Sequence, residues 1–237
     1  DIVKVMGLLA LATGIFYSFI QFPPSKKLML PASTGSKHFL KDPLLYMIAF
    51  FLFFQGSMEA ILNNWTTTYF TEYLGFKENV ALYALSLYLA GMTVMRLLIG
   101  SVLRSVPLSQ LMFGSMGLML GGILLVAFGK NYFSSVCGLT LCGVGLAAGF
   151  PIMLGMAGSR YASNSATAFS IILTIALVGN MLVNILMGFI SGNFGIRHLT
   201  TVFVGEWLLL VILAAMIFSR REKPANNTVA MEKEITV

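Results

Sequence analysis

Gln55, Glu59 and Asn63 stand four residues apart in the stretch FFQGSMEAILNNWTTTYFTEYLG (residues 53–75), an otherwise largely apolar run. That spacing stacks them on one face of a helix, with Asn64 and Trp65 directly beyond. One carboxyl and two amides on a shared face suit a neutral, hydroxyl-rich ligand, because amides both donate and accept. Trp65 fits two readings, stacking on a pyranose face or anchoring the helix at a membrane interface. Gln55 and Asn63 also fit two, a ligand cavity or hydrogen bonding between helices. A carboxyl within a membrane helix is disfavoured by about 3 kcal/mol on insertion scales, so it faces protein or water and marks a functional position. Glu59 is therefore the principal candidate, the alternative being a buried carboxyl hydrogen-bonded to a neighbouring helix.

The elements that must position these groups follow from composition. The chain is 57% hydrophobic and 10% charged, with a mean hydropathy of +0.86, and its apolar residues come in long blocks. A bilayer crossing needs about 20 mostly apolar residues. Seven blocks meet that length, at 5–22, 44–71, 80–103, 109–128, 133–157, 166–190 and 199–218. Alternating runs of about ten residues are missing from the sequence, which excludes a barrel. The expected class is an all-α integral membrane protein with seven transmembrane helices.

The net charge of +6 is an orientation signal rather than a nucleic-acid footprint. With residues 23–42 inside, Lys26, Lys27, Lys37, Lys41, Arg104, Arg160, Arg220, Arg221, Lys223 and Lys233 are cytoplasmic. Lys4, Lys77, Lys130 and Arg197 lie outside, and Arg96 is within a helix. Ten against four places the C-terminus in the cytoplasm of a multi-pass protein of the cell (inner or plasma) membrane. Cys137 and Cys142 fall on different helix faces without an acid or histidine in their block, so they read as packing residues. His38 and His198 lie in loops and no acid pair shares a helix, so neither an enzyme, a metal site nor a cofactor is expected. The chain begins with Asp1, and its first block lacks a basic leader, so it is expected to start within a longer protein.

Along the chain, residues 1–22 form a lone helix, 23–42 a polar linker with four lysines and three prolines, 43–220 a six-helix unit, and 221–237 a polar tail expected to be disordered. Within the six, GMTVMRLLIG (91–100) and GNMLVNILMG (179–188) share the spacing Gly, four residues, a polar residue, three residues, Gly. The copies are three helices apart and so must run in opposite directions, the arrangement of 3+3 inverted repeats.

Six helices after a basic linker resemble the C-terminal half of a major facilitator superfamily transporter, with the lone helix as the last of the N-terminal half. KDPLLYMIAFFLFFQGSMEAILNNWTTTYFTEYLGF (41–76) followed by ALSLYLAGMTVMRLLIG (84–100) resembles, more narrowly, the fucose permease-like sugar:proton symporters. One departure is GSVLRSVPLSQ (100–110), which lacks the acidic partner of that family's loop after the eighth helix, so a charge lock is not carried over. The resemblance implies alternating access for a neutral polar solute, a monosaccharide above all, driven by a proton or sodium ion. It also implies a lipid bilayer and the missing N-terminal half as partners, with the coupling carboxylates in that half. By the same resemblance the second and fifth blocks line the cavity, the third and sixth border the other half, and the fourth and seventh face lipid. An exporter of drugs or peptides and a non-transporting seven-helix receptor or scaffold are the alternatives; a retinal pump is disfavoured because 199–218 holds no lysine.

The remaining polar and glycine positions complete the expectations. Arg96, eight residues before Arg104, lies about 12 Å from the cytoplasmic surface and reads as a structural or inner-gate residue. Asn180 and Asn184, one turn apart, are candidates for the cavity wall or for bonding between helices. Glu206 beside Trp207 reads as an interfacial acid. GLMLG (117–121), GLAAG (145–149) and GFISG (188–192) read as close-packing surfaces, while Asn63-Asn64 and the Gly149–Pro151 kink are hinge candidates.

Overall fold

A computed structural model describes residues 2–20, 39–129 and 131–221; the expected linker from 23 to 38 and the tail beyond 221 lie outside them. The chain divides into two units at His38. The first contains α1 (Ile2–Ser18), an apolar helix of 17 residues whose side chains are exposed. Its length falls short of the roughly 20 residues of a full crossing. Thr13 and Ser18 donate their hydroxyls to carbonyls of the preceding turn, which satisfies both donors within the helix.

The second unit is built from α2 (Pro43–Thr68), α3 (Glu78–Gly100), α4 (Leu108–Phe128), α5 (Tyr132–Leu146), α6 (Gly149–Arg160), α7 (Ser165–Phe194) and α8 (Leu199–Arg221). With α5 and α6 taken as one interrupted crossing, six spans are long and apolar enough to traverse a membrane among the described residues. No strand occurs among them.

Local chemistry explains where α2 begins and ends. Pro43 fits its first turn, where no intrahelical donor is required, and the Asp42 carboxylate caps it by accepting the Leu44 N–H at 3.0 Å. The same carboxylate accepts Arg160 Nε and the Tyr161 hydroxyl, each at 2.9 Å, which ties the start of α2 to the end of α6. Burial alone would raise the Asp42 pKa, but the Leu44 amide, Arg160 and Tyr161 outweigh it and hold the carboxyl below its ordinary value. Burial and the adjacent carboxylate push the Tyr161 phenol up to about 12, so it stays a donor. At its other end α2 widens into a π turn over Tyr69–Tyr73 and stops at Gly75, whose φ of 73° favours a residue without Cβ. The backbone at Asn63-Asn64 is regular helix, and the departure from α geometry starts at Tyr69.

Two packing groups make up the core, α2 against α7 and α8, and α5 against α3 and α4. Between membrane helices, close van der Waals fit is the main attraction, so glycines sit where backbones meet. Gly122 and Gly138 bring α4 onto α5, Gly143 lies against Tyr88 of α3, and the Phe53 ring fills the space at Gly179. The expected close-packing surfaces are corrected in part: Gly117, Gly121 and Gly192 face open space, and Gly122 makes the contact assigned to GLMLG. Gly145 and Gly149 are both tightly packed, as expected. Glu206 is also corrected. It is buried rather than interfacial, and accepts a hydrogen bond from Ser57 of α2, while Trp207 Nε1 donates to the Met116 carbonyl of α4 at 2.9 Å.

Candidate functional site

The interruption between α5 and α6 positions one wall of the site. Pro151 lies in the first turn of α6 and supplies no N–H to the preceding turn, which is why the helix cannot run through Ala147-Ala148. Gln55 Nε2 takes up one carbonyl at the break, donating to Leu146 at 2.9 Å. Gly149 lets this carboxamide approach: a Cβ there would overlap it. Gln55 is thereby buried inside the bundle and does not share a hollow with Glu59, a correction to the single-cavity expectation. A four-residue spacing drifts around a helix of 3.6 residues per turn, and packing against α6 captures the Gln55 end of the stripe.

Glu59 stands at the junction of two adjoining hollows, sharing that position with Phe150. The first, of about 650 Å³, is bordered by Asn63, Asn64, Asn180, Leu173 and Leu177 between α2 and α7. The second, of about 530 Å³, runs past Arg96, Ile99, Pro151 and Leu154. The carboxylate pairs with Arg96, whose Nη2 lies 3.2 Å and 3.4 Å from its two oxygens. Only that nitrogen of the guanidinium is engaged among the described residues, and both side chains stay partly open, at 43% for Arg96 and 26% for Glu59. Arg96 thus lies beside Glu59 on the border of the second hollow. Sequence spacing gave no signal for the pair, since its members lie on different helices.

Amides continue the polar strip along the α2–α7 seam. Asn64 Nδ2 donates to Asn184 Oδ1 at 3.1 Å, and Asn184 Nδ2 reaches the Asn180 side chain at 3.1 Å and its carbonyl at 2.8 Å. Asn63 Nδ2 donates to the Glu59 carbonyl of its own helix. Asn184 therefore serves between helices, while Asn63, Asn64 and Asn180 border the hollow. Trp65 borders neither hollow. It packs against the core and lies over Gly188 of α7. Phe150 is the apolar residue that sequence reasoning missed; an aromatic after a glycine resembles any other membrane phenylalanine.

The second unit is a bundle of membrane-length helices with a partly open, charge-paired polar strip. Residues 83–236 match the family model of the Major Facilitator Superfamily, and the chain belongs to that superfamily, whose members are transporters and not enzymes. Among solved structures, the chain is similar to the crystal structure of a Major Facilitator Superfamily transporter, FucP, in the outward conformation, with a TM-score of 0.73 and 13% identity. The match covers 90% of this chain and 53% of that one, so the chain spans about half the length of the transporter it matches. At that identity the likeness concerns the fold. No curated protein matches the chain.

Proposed function

We propose that this chain is the C-terminal half of a twelve-helix secondary transporter that carries a neutral polar solute, a monosaccharide above all, by alternating access. The observation that carries the reading is the Glu59–Arg96 pair, set between two hollows and flanked by Asn63, Asn64 and Asn180. A carboxylate and a guanidinium in contact present donors and acceptors with little net charge, which suits hydroxyls and disfavours ions. A partly open pair of this kind contributes about 0.2–1 kcal/mol, so substrate hydroxyls are able to insert between its members.

The packing supports an internal inverted repeat. Taking α2, α3 and α4 as counterparts of the α5–α6 span, α7 and α8, the α3–α5 contact corresponds to α7–α2, and α4–α5 to α8–α2. The repeat's polar positions, Arg96 and Asn184, both reach α2 partners. In this reading α1 brings the crossings of the chain to seven and is the last helix of the other half. A proton or sodium ion supplies the driving force through that half, and the arginine-rich end of the bundle is cytoplasmic. The Gly149–Pro151 interruption is a hinge.

The test is flux into proteoliposomes holding the full-length protein, against a monosaccharide panel with and without proton and sodium gradients. We expect saturable sugar uptake, reduced at least tenfold by Glu59→Gln with membrane insertion intact. Wild-type uptake in that variant would refute the site, and transport of apolar drugs or peptides in place of sugars would favour an exporter.

A further inference from the structure

We infer that the arginine-rich end of the bundle holds a site for the head group of an anionic phospholipid, formed by Arg220, Arg160 and Ser159. These residues border a hollow of about 220 Å³ where the start of α2, the start of α4, the end of α6 and the end of α8 meet, far along the helices from Glu59. Its other borders include Leu44, Leu108 and Met156, so one side is cationic and the other apolar. Arg160 gives its Nε–H to Asp42, and its side chain remains 54% exposed. Arg220 has no ion pair or hydrogen bond among the described residues. One arginine is thus balanced by Asp42 and the other is not, leaving the hollow net positive. The first turn of α4, opening at Leu108 after Pro107, has no side-chain cap, which adds unsatisfied N–H groups on the same side.

What separates a lipid from a soluble anion is the surface leading away from the hollow. Met216, Ile212 and Leu208 precede Arg220 at steps of four residues, on one face of α8, and are 45%, 54% and 50% exposed. A guanidinium at the end of an exposed apolar ridge matches a phosphate at the end of an acyl chain. Lys41 and Arg104 lie at the same end of the helices, which in the proposed orientation is the leaflet where anionic lipids concentrate. A zwitterionic head group would bring its own cation to Arg220 and lose this advantage.

Two measurements on the full-length protein test the site. In detergent, phosphatidylglycerol is expected to raise the thermal midpoint of the wild type, with an apparent affinity about fivefold weaker for Arg220→Gln and largely kept by Arg220→Lys. Phosphatidylcholine and inorganic phosphate are expected to have little effect. In vesicles, a Met216→Trp reporter with Arg220 intact is expected to be quenched more by brominated phosphatidylglycerol than by brominated phosphatidylcholine. Equal responses of wild type and Arg220→Gln, equal quenching by the two lipids, or a shift reproduced by phosphate alone would overturn the proposal. None of these readouts depends on the transported solute.

Discussion

The contact between Glu59 and Arg96 keeps the border of the hollow beside it close to charge balance. Remove either partner alone and the other is left as an unpaired charge beside the hollow. Glu59→Gln is therefore expected to admit carboxylated sugars as competitors, because Arg96 then offers its whole guanidinium to an anion. The double variant Glu59→Gln, Arg96→Gln returns the site to neutrality and is expected to recover part of the uptake lost in the single variant. Competition assays with a uronate and a double-mutant cycle measure both effects; strictly additive losses would show that the two residues act separately. At this scale Glu59 was legible in the sequence because a lone acid in an apolar run is conspicuous. Its partner was not, being 37 residues away on a helix whose rotation the sequence does not report.

Asp42 joins two elements, capping α2 and holding the end of α6 through Arg160 and Tyr161. Its folded pKa lies below the ordinary value of 3.8, so the stabilisation it brings is present above that pH and is lost as pH falls through the lower, folded value. Asp42→Asn, which keeps an acceptor for the Leu44 N–H but removes the charge facing Arg160 and Tyr161, should lower the thermal midpoint at pH 7, and the difference from wild type should shrink as pH falls below 3.8. A difference that stays constant down to pH 3 would sink this account of the clasp. The interrupted α5–α6 span was legible from Gly149 and Pro151. The π turn at Tyr69–Tyr73 was not, since no residue type there demands it. Glycine spacing identified candidate faces, but Gly122 rather than Gly121 makes the contact, because helix rotation chooses among adjacent glycines.

Across the whole molecule, α3 and α7 are the least covered of the membrane-length helices, and each contributes to the hollows around Glu59. If those faces border the other half and a water-filled path, they are wet where the exposed ridge of α8 is in lipid. In the full-length protein, Leu177→Cys on α7 is expected to react with a membrane-impermeant maleimide and to be protected by the proposed solute. Ile212→Cys on α8 is expected to stay unreactive. Equal labelling of both positions would contradict this division of surfaces.

The sequence by itself determined the membrane class, the boundaries of the long helices, the excess of cationic residues at one end and the polar face of α2. Each of these depends on residues within one or two turns of one another, where hydropathy and helical period act directly. Tertiary structure alone decided that Gln55 serves the Leu146 carbonyl 91 residues away, that Glu206 is buried against Ser57 149 residues away, and that Arg96 pairs with Glu59. Those pairings depend on how each helix is rotated and how closely its glycines let it approach, and apolar membrane helices leave both to packing rather than to any local pattern.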